Sequence, residues 1–116
     1  MKKRIKSHVV TNALLRIENA TGEPPSPFEK PNDTMDFWVL ELSWDPEPLE
    51  AWQLRVEPIL LSQLRRVRRW ARSGAKCFLH VQTSHPIPTY PALFVPTFLT
   101  TLSKLNCTLE HGVDNE

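Results

Sequence analysis

"LLSQLRRVRRWARSGAKCFLHV", Leu60 to Val81, decides how this chain is read, because its hydrophobic period changes in the middle. In the first half, stepping about 100° per residue gathers Leu60, Leu61, Leu64, Val67 and Ala71 on one side of a helix, with Trp70 at the border. Arg65, Arg69 and Arg72 point nearly opposite, and Arg66 and Arg68 flank them. Gly74 offers the left-handed conformation that ends a helix. From Lys76 the pattern alternates, setting Cys77, Leu79 and Val81 against Phe78, His80 and Gln82, the period of a strand. A helix running through a glycine directly into a strand is the unit around which the rest is arranged.

Upstream, "DPEPLEAWQLRVEP" carries the signals of a helix start: Asp45 as N-cap, Pro46 at the first helical position, and acids Glu47 and Glu50 in the opening turns. Pro58 interrupts this helix. A proline in a helix interior removes one backbone hydrogen bond and clashes with the preceding turn, at a cost of ~3 kcal/mol, so the helix is expected to be kinked or broken near Glu57 and Pro58. Before it, "DFWVLELSW" alternates Phe37, Val39 and Glu41 with Trp38, Leu40 and Leu42, a strand. "SHVVTNALLRIEN" alternates Val9, Thr11, Ala13, Leu15 and Ile17 with Val10, Asn12, Leu14 and Arg16, which predicts a first strand. The prolines and glycine of "ATGEPPSPFEKPNDT" exclude helix and central strand between the two, leaving a long surface connection.

Downstream, "HPIPTYPALFVP" is a second proline-rich connection. Pro96 then opens a short helix, with Phe98, Leu99, Leu102 and Leu105 on one face and Asn106 at its end, and "CTLEHGV" closes as a fourth strand. The order β-β-α-β-α-β predicts an α+β fold, a small mixed sheet of about four strands with helices packed on one face. A single domain over residues 1–116 is expected, with residues 1–6 and 112–116 as loose ends.

Composition sets further bounds. The chain is 41% hydrophobic and 23% charged, a globular balance, and its eleven prolines against three glycines belong in the two connections and at helix starts. Two cysteines, and no apolar run behind the basic "MKKRIKSHVV", point to a reducing, cytoplasmic setting. No stretch approaches the ~20 apolar residues of a membrane span, so no membrane partner is expected. The net charge of +1 hides segregation: residues 18–57 hold ten acids against two bases, whereas residues 58–76 hold six bases and no acid.

From Phe37 to Val113 the chain resembles a family of small bacterial domains, domain-of-unknown-function family 4279. The resemblance lies in "FWVLEL", in "LLSQLRRVRRWARSGAKCFLHV" and in "VPTFLTTLSKLNCTLEHGV", all hydrophobic patterns around one glycine. "TGEPPSPFEKP" is similar to that family's glycine-and-proline loop, although the helix the family places before it is missing or shrunken here. The resemblance implies the α+β fold and a bacterial protein. It brings no activity or functional residue with it.

The arginines are the one feature that asks for a partner. Like charges three or four residues apart, such as Arg65 with Arg68 and Arg69 with Arg72, repel by a few tenths of a kcal/mol, roughly the gain of an opposite pair. Something anionic is expected to offset them. The chain's own acidic block, an acidic protein surface and phosphates all fit the guanidinium fork. The expected function is an interaction module in which Arg65, Arg66, Arg68, Arg69 and Arg72, with Trp70, contact an acidic protein partner or a second copy of the chain, an immunity-like or accessory role being one form. The alternative is a weak nucleic-acid binder that adds the basic tail Lys2, Lys3, Arg4 and Lys6.

No enzymatic activity, cofactor or metal is expected. Cys77, His80, His85, Cys107 and His111 hold the right atoms for zinc, but on a strand Cys77 and His80 point to opposite faces, whereas a tetrahedral site needs them to converge. The two cysteines can approach on neighbouring strands, yet no disulfide is expected in a reducing compartment. Of the aromatic residues, Trp38 and Trp52 are expected in the core and Trp44, Trp70 and Tyr90 at its edges.

Overall fold

A computed structural model of the chain describes residues 9–20, 22–32, 36–84 and 94–113. It is α+β, a five-stranded mixed sheet with three helices. In chain order the elements are β1 (Val9–Glu18), β2 (Phe37–Glu41), β3 (Glu47–Pro48), α1 (Leu49–Ser62), α2 (Leu64–Arg72), β4 (Lys76–Thr83), α3 (Pro96–Lys104) and β5 (Cys107–Val113). The sheet runs β2-β1-β4-β5, with β3 paired to the other end of β1. β1 is antiparallel to β2, β3 and β4, while β4 and β5 are parallel. That parallel pair is the one whose connection carries a helix, α3, as parallel strands require.

One face of the sheet is buried beneath the helices. Ala13, Leu15 and Ile17 of β1, Trp38 and Leu40 of β2, and Cys77, Leu79 and Val81 of β4 meet Trp52, Val56 and Leu60 of α1, Val67 of α2 and Phe98, Leu102 and Leu105 of α3. Alternation therefore set the faces correctly along β2 and β4. In β1 it fails at one end: Val10, not Val9 or Thr11, is buried. The register with β4 shifts between Val10 and Asn12, and this single inserted residue reverses which side chains face inward before it.

The helical stretch differs from expectation at its start and its break. Asp45 and Pro46 do not open α1; Glu47 and Pro48 first pair with Val10 and Val9 as β3, and Pro48 occupies the N-cap position without a side-chain cap. Arg55 holds Glu47 there, Nη2 to Oε1 at 2.8 Å, and also donates to the Leu42 carbonyl at 2.8 Å. Pro58 lies inside α1, which continues to Ser62. The break falls instead at Gln63, with φ −100° and ψ 0°, whose N–H turns back to the Leu60 carbonyl at 3.0 Å. Pro58 is on the exposed side, so its lost hydrogen bond is not a buried one. Leu61, expected in the core, precedes the break and is 44% exposed, because it lies about 100° round α1 from buried Leu60.

α3 is tied to α1 by polar contacts as well as rings. Buried Gln53 accepts a hydrogen bond from the Val95 N–H at 2.7 Å, and Thr101 donates to Glu57 at 3.2 Å. Trp52 packs on Phe98 with centroids 5.5 Å apart, and its indole N–H donates to the Leu42 carbonyl at 2.9 Å. Asn106, at φ 55°, ends this segment as expected. Gly112 and Val113 do not belong to a loose end; they pair with Gln82 and Thr83 of β4. Residues 1–6 and 114–116 lie outside the described residues.

Candidate functional site

The arginine face is built by how α2 is held at both sides. Trp70 packs edge-on against Phe28 at 5.2 Å and Trp38 at 5.1 Å, so strand β2, the connection before it and α2 share one aromatic joint. The backbone of Glu29 exchanges hydrogen bonds with Val39 at 2.9 and 2.8 Å, which fixes that connection along the sheet edge. At the far end, Gly74 adopts φ +100°; its N–H reaches the Ala71 carbonyl at 3.0 Å and the Ala75 N–H reaches Trp70 at 3.1 Å. This is a Schellman termination, and it satisfies two of the helix's last carbonyls with backbone alone. The arginines are not needed for that purpose.

With Val67 buried and Trp70 engaged, Arg65, Arg68, Arg69 and Arg72 are left exposed, followed by exposed Lys76 at the start of β4. Arg66 is half-buried and donates to the Ser26 carbonyl at 2.7 Å. Among the described residues none of these five arginines makes an ion pair. The carboxylates that do pair serve other bases: Glu47 holds Arg55, and Glu18 and Glu110 hold Arg16. Trp70 contributes to this face from beneath, since its ring faces Phe28 and Trp38. Among the described residues the exposed aromatic is Trp44, 67% accessible, and it lies 5.3 Å from the Arg55 guanidinium rather than on α2. Tyr90 and His85 fall outside the described residues.

The other face of the sheet carries a feature that sequence spacing did not single out. A groove of about 850 Å³ runs over it, lined by Asn12, Leu14, Arg16, Val39, Trp44 and His80 among others. At its side Arg16 donates to Glu18 at 2.8 Å and to both oxygens of Glu110 at 3.1 and 3.0 Å, and its guanidinium sits 4.7 Å from the Phe78 centroid. His80 Nδ1 lies 3.6 Å from Glu110. The hydrogen bonds from Arg16 hold the Glu110 carboxyl below the usual carboxylate range, and Glu110 in turn raises Arg16. Alternation marked these residues as facing away from the core. Only the pairing of β1 with β4 and β4 with β5 brings them together.

Cys77 and Cys107 are register partners on β4 and β5, both free, with sulfurs 3.1 Å apart. His80 is on the opposite face of β4, and His111 Nε2 lies 2.8 Å from Thr83 Oγ1. Among the described residues no three His, Cys, Asp or Glu side chains gather as a metal site, and no helix is long and apolar enough to cross a membrane. Comparison with protein-family models, with curated proteins and with solved structures finds no match to this chain.

Proposed function

We propose that this chain is a non-enzymatic, cytoplasmic interaction module that binds an acidic protein surface through Arg65, Arg68, Arg69 and Arg72 of α2, with Arg66 and Trp70 bracing that face. One observation supports it above others: four exposed guanidinium groups share two turns of helix, with no ion pair among the described residues to offset their repulsion. A protein carboxylate surface matches the arginine fork and would relieve that repulsion on contact. In one concrete form the role is immunity-like, the module covering part of its partner. The proposed kinship with family 4279 concerns fold alone and assigns no residue a task.

A phosphate backbone is the competing anion. Against it stand a pI near 7.9 and the ten acids of residues 18–57, which repel nucleic acid at long range. The test is titration of the protein with a glutamate-rich peptide and with duplex DNA, across salt, beside a variant carrying Arg65→Glu, Arg69→Glu and Arg72→Glu. Peptide binding that persists at physiological salt and is lost in a variant that stays folded supports the proposal. DNA binding that outlasts peptide binding as salt rises transfers the face to nucleic acid. An unfolded variant means that these arginines serve the fold itself.

A further inference from the structure

We propose that Cys77 and Cys107 form a dithiol–disulfide couple, a thiol-exchange site that takes small disulfides and bolts edge strand β5 to β4. The register places the two residues directly opposite across adjacent parallel strands, and their sulfurs are already 3.1 Å apart. Strand spacing of about 4.8 Å lies within the Cα separations that disulfides span, so closure needs the sulfurs to approach by about 1 Å and no strand to move far. Few features of a reduced core demand such placement: two small apolar residues would pack there equally well.

The two sulfurs differ in access, which gives the reaction an order. Cys77 is 6% exposed and borders a cavity of about 180 Å³ between α2 and β4, whereas Cys107 is half-buried at the sheet edge. The hydrogen bond to Cys77, with burial, pushes the Cys107 thiol up, so Cys107 keeps its proton at rest and gains nothing from an ionised thiolate. Reaction begins when the pair loses a proton to solvent and the charge reaches Cys107. Its thiolate attacks one sulfur of a small disulfide RSSR; that S–S bond breaks, and RS⁻ leaves and is protonated to RSH. Cys77 then gives up its proton and attacks the Cys107 sulfur, forming the Cys77–Cys107 bond and expelling the second RS⁻, which becomes RSH. The protein loses two electrons and two protons, and RSSR becomes two RSH.

What the bond would change is the end of the sheet. None of the β5 side chains is fully buried, in contrast to Leu79, Val81 and Thr83 beside it, so β5 depends on its backbone ladder to β4 more than any neighbour does. A covalent link at its first residue fixes α3 and β5 to β4 together. This is a property independent of the arginine face.

The experiment uses the intact folded protein, oxidised glutathione as the probe, thiol counting after denaturation in acid, and peptide mass mapping. The expected result is joint loss of both thiols and a linked peptide pair lighter by two hydrogens, reversed by dithiothreitol. Cys107→Ser should abolish the linkage and leave Cys77 free, and Cys77→Ser should trap glutathione on Cys107. Cys77→Ser tests the order of attack, while Cys107→Ser, at the less buried position, keeps the test intact should the first variant fold poorly. Two surviving thiols in the folded wild type, a mixed disulfide that stays on Cys107, or a bond between two molecules would each overturn the proposal.

Discussion

Arg16 of β1 and Glu110 of β5 form a two-pronged ion pair, 3.1 and 3.0 Å, although 94 residues separate them in sequence and β4 runs between their strands. The pair spans half the sheet over the ring of Phe78, so it measures whether β5 is seated. Glu110 is held below its ordinary range chiefly by the Arg16 hydrogen bonds. A depressed carboxylate contributes stability that is present above its unfolded value of about 4.3 and is lost as pH falls through its folded value. Arg16, raised, stays cationic throughout. With Glu110 36% and Arg16 21% exposed, solvent screening limits the pair to about 1 kcal/mol. Glu110→Gln should therefore lower stability in urea by that order at pH 7, and the deficit should shrink as pH falls below about 4.3 and disappear once Glu110 is protonated in the folded protein. A deficit that is the same at both pH values would show that the charge is not what holds the pair.

The two sides of α2 should respond very unequally to substitution. Trp70→Ala removes a ring that touches both Phe28 and Trp38, and truncation of such a ring costs about 3 kcal/mol. Arg69→Gln, one residue earlier, should change stability by no more than about 0.5 kcal/mol, since Arg69 is exposed and makes no ion pair among the described residues. Chemical denaturation of both variants checks this. If Arg69→Gln is as damaging as Trp70→Ala, the arginines have structural partners and the proposed binding face is lost.

Most of the architecture was legible in the sequence because it depends on local periods. The alternation of Phe37 to Leu42 and of Cys77 to Gln82, the glycine at 74 and Pro96 each act within a few residues, and each produced the expected element. The misreadings came from forces that act at a distance. β3 displaced the Asp45 cap because Glu47 and Pro48 found Val10 and Val9 nearly forty residues away. The β1 bulge reflects pairing with β4, and no property of "VVTNA" alone announces it. At the candidate site, helical spacing placed the arginines outward and Trp70 at the edge of the core, where it is partly buried, but its partner Phe28 sits in a stretch that reads only as loop. The Arg16–Glu110 pair was hidden, and the approach of the two cysteines left open, for the same reason: neither follows without strand order.

Pro58 offers a test of how α1 tolerates a residue that ought to break it. The helix continues through it to Ser62, so the proline removes a backbone hydrogen bond at an exposed position without terminating the element. Pro58→Ala restores that N–H and a good helix former, a gain of up to about 3 kcal/mol, against about 1 kcal/mol of freedom returned to the unfolded chain. Net stabilisation of about 2 kcal/mol is expected, read as a higher midpoint in thermal melting. A lower midpoint would mean that the proline imposes a bend on which the packing of Trp52 and Leu60 depends.

Gln53 controls the other end of the βαβ unit. Its side chain is almost wholly buried, and its carbonyl oxygen accepts the Val95 N–H at 2.7 Å, where α3 begins without a side-chain cap of its own. Gln53→Leu keeps the volume and the helix propensity but takes the partner from an N–H at a part-buried position, the loss of one ordinary hydrogen bond, about 1 kcal/mol. The loss should be local before it is global. Hydrogen exchange at the Val95 and Phe98 amides should accelerate at denaturant concentrations where Leu79 and Val81, in the centre of the sheet, still exchange only by complete unfolding. Because α3 feeds directly into β5, the Cys107 amide should follow Val95 rather than Leu79. Uniform acceleration along the chain would instead make Gln53 a general core residue, and would remove α3 as the element that seats the edge strand.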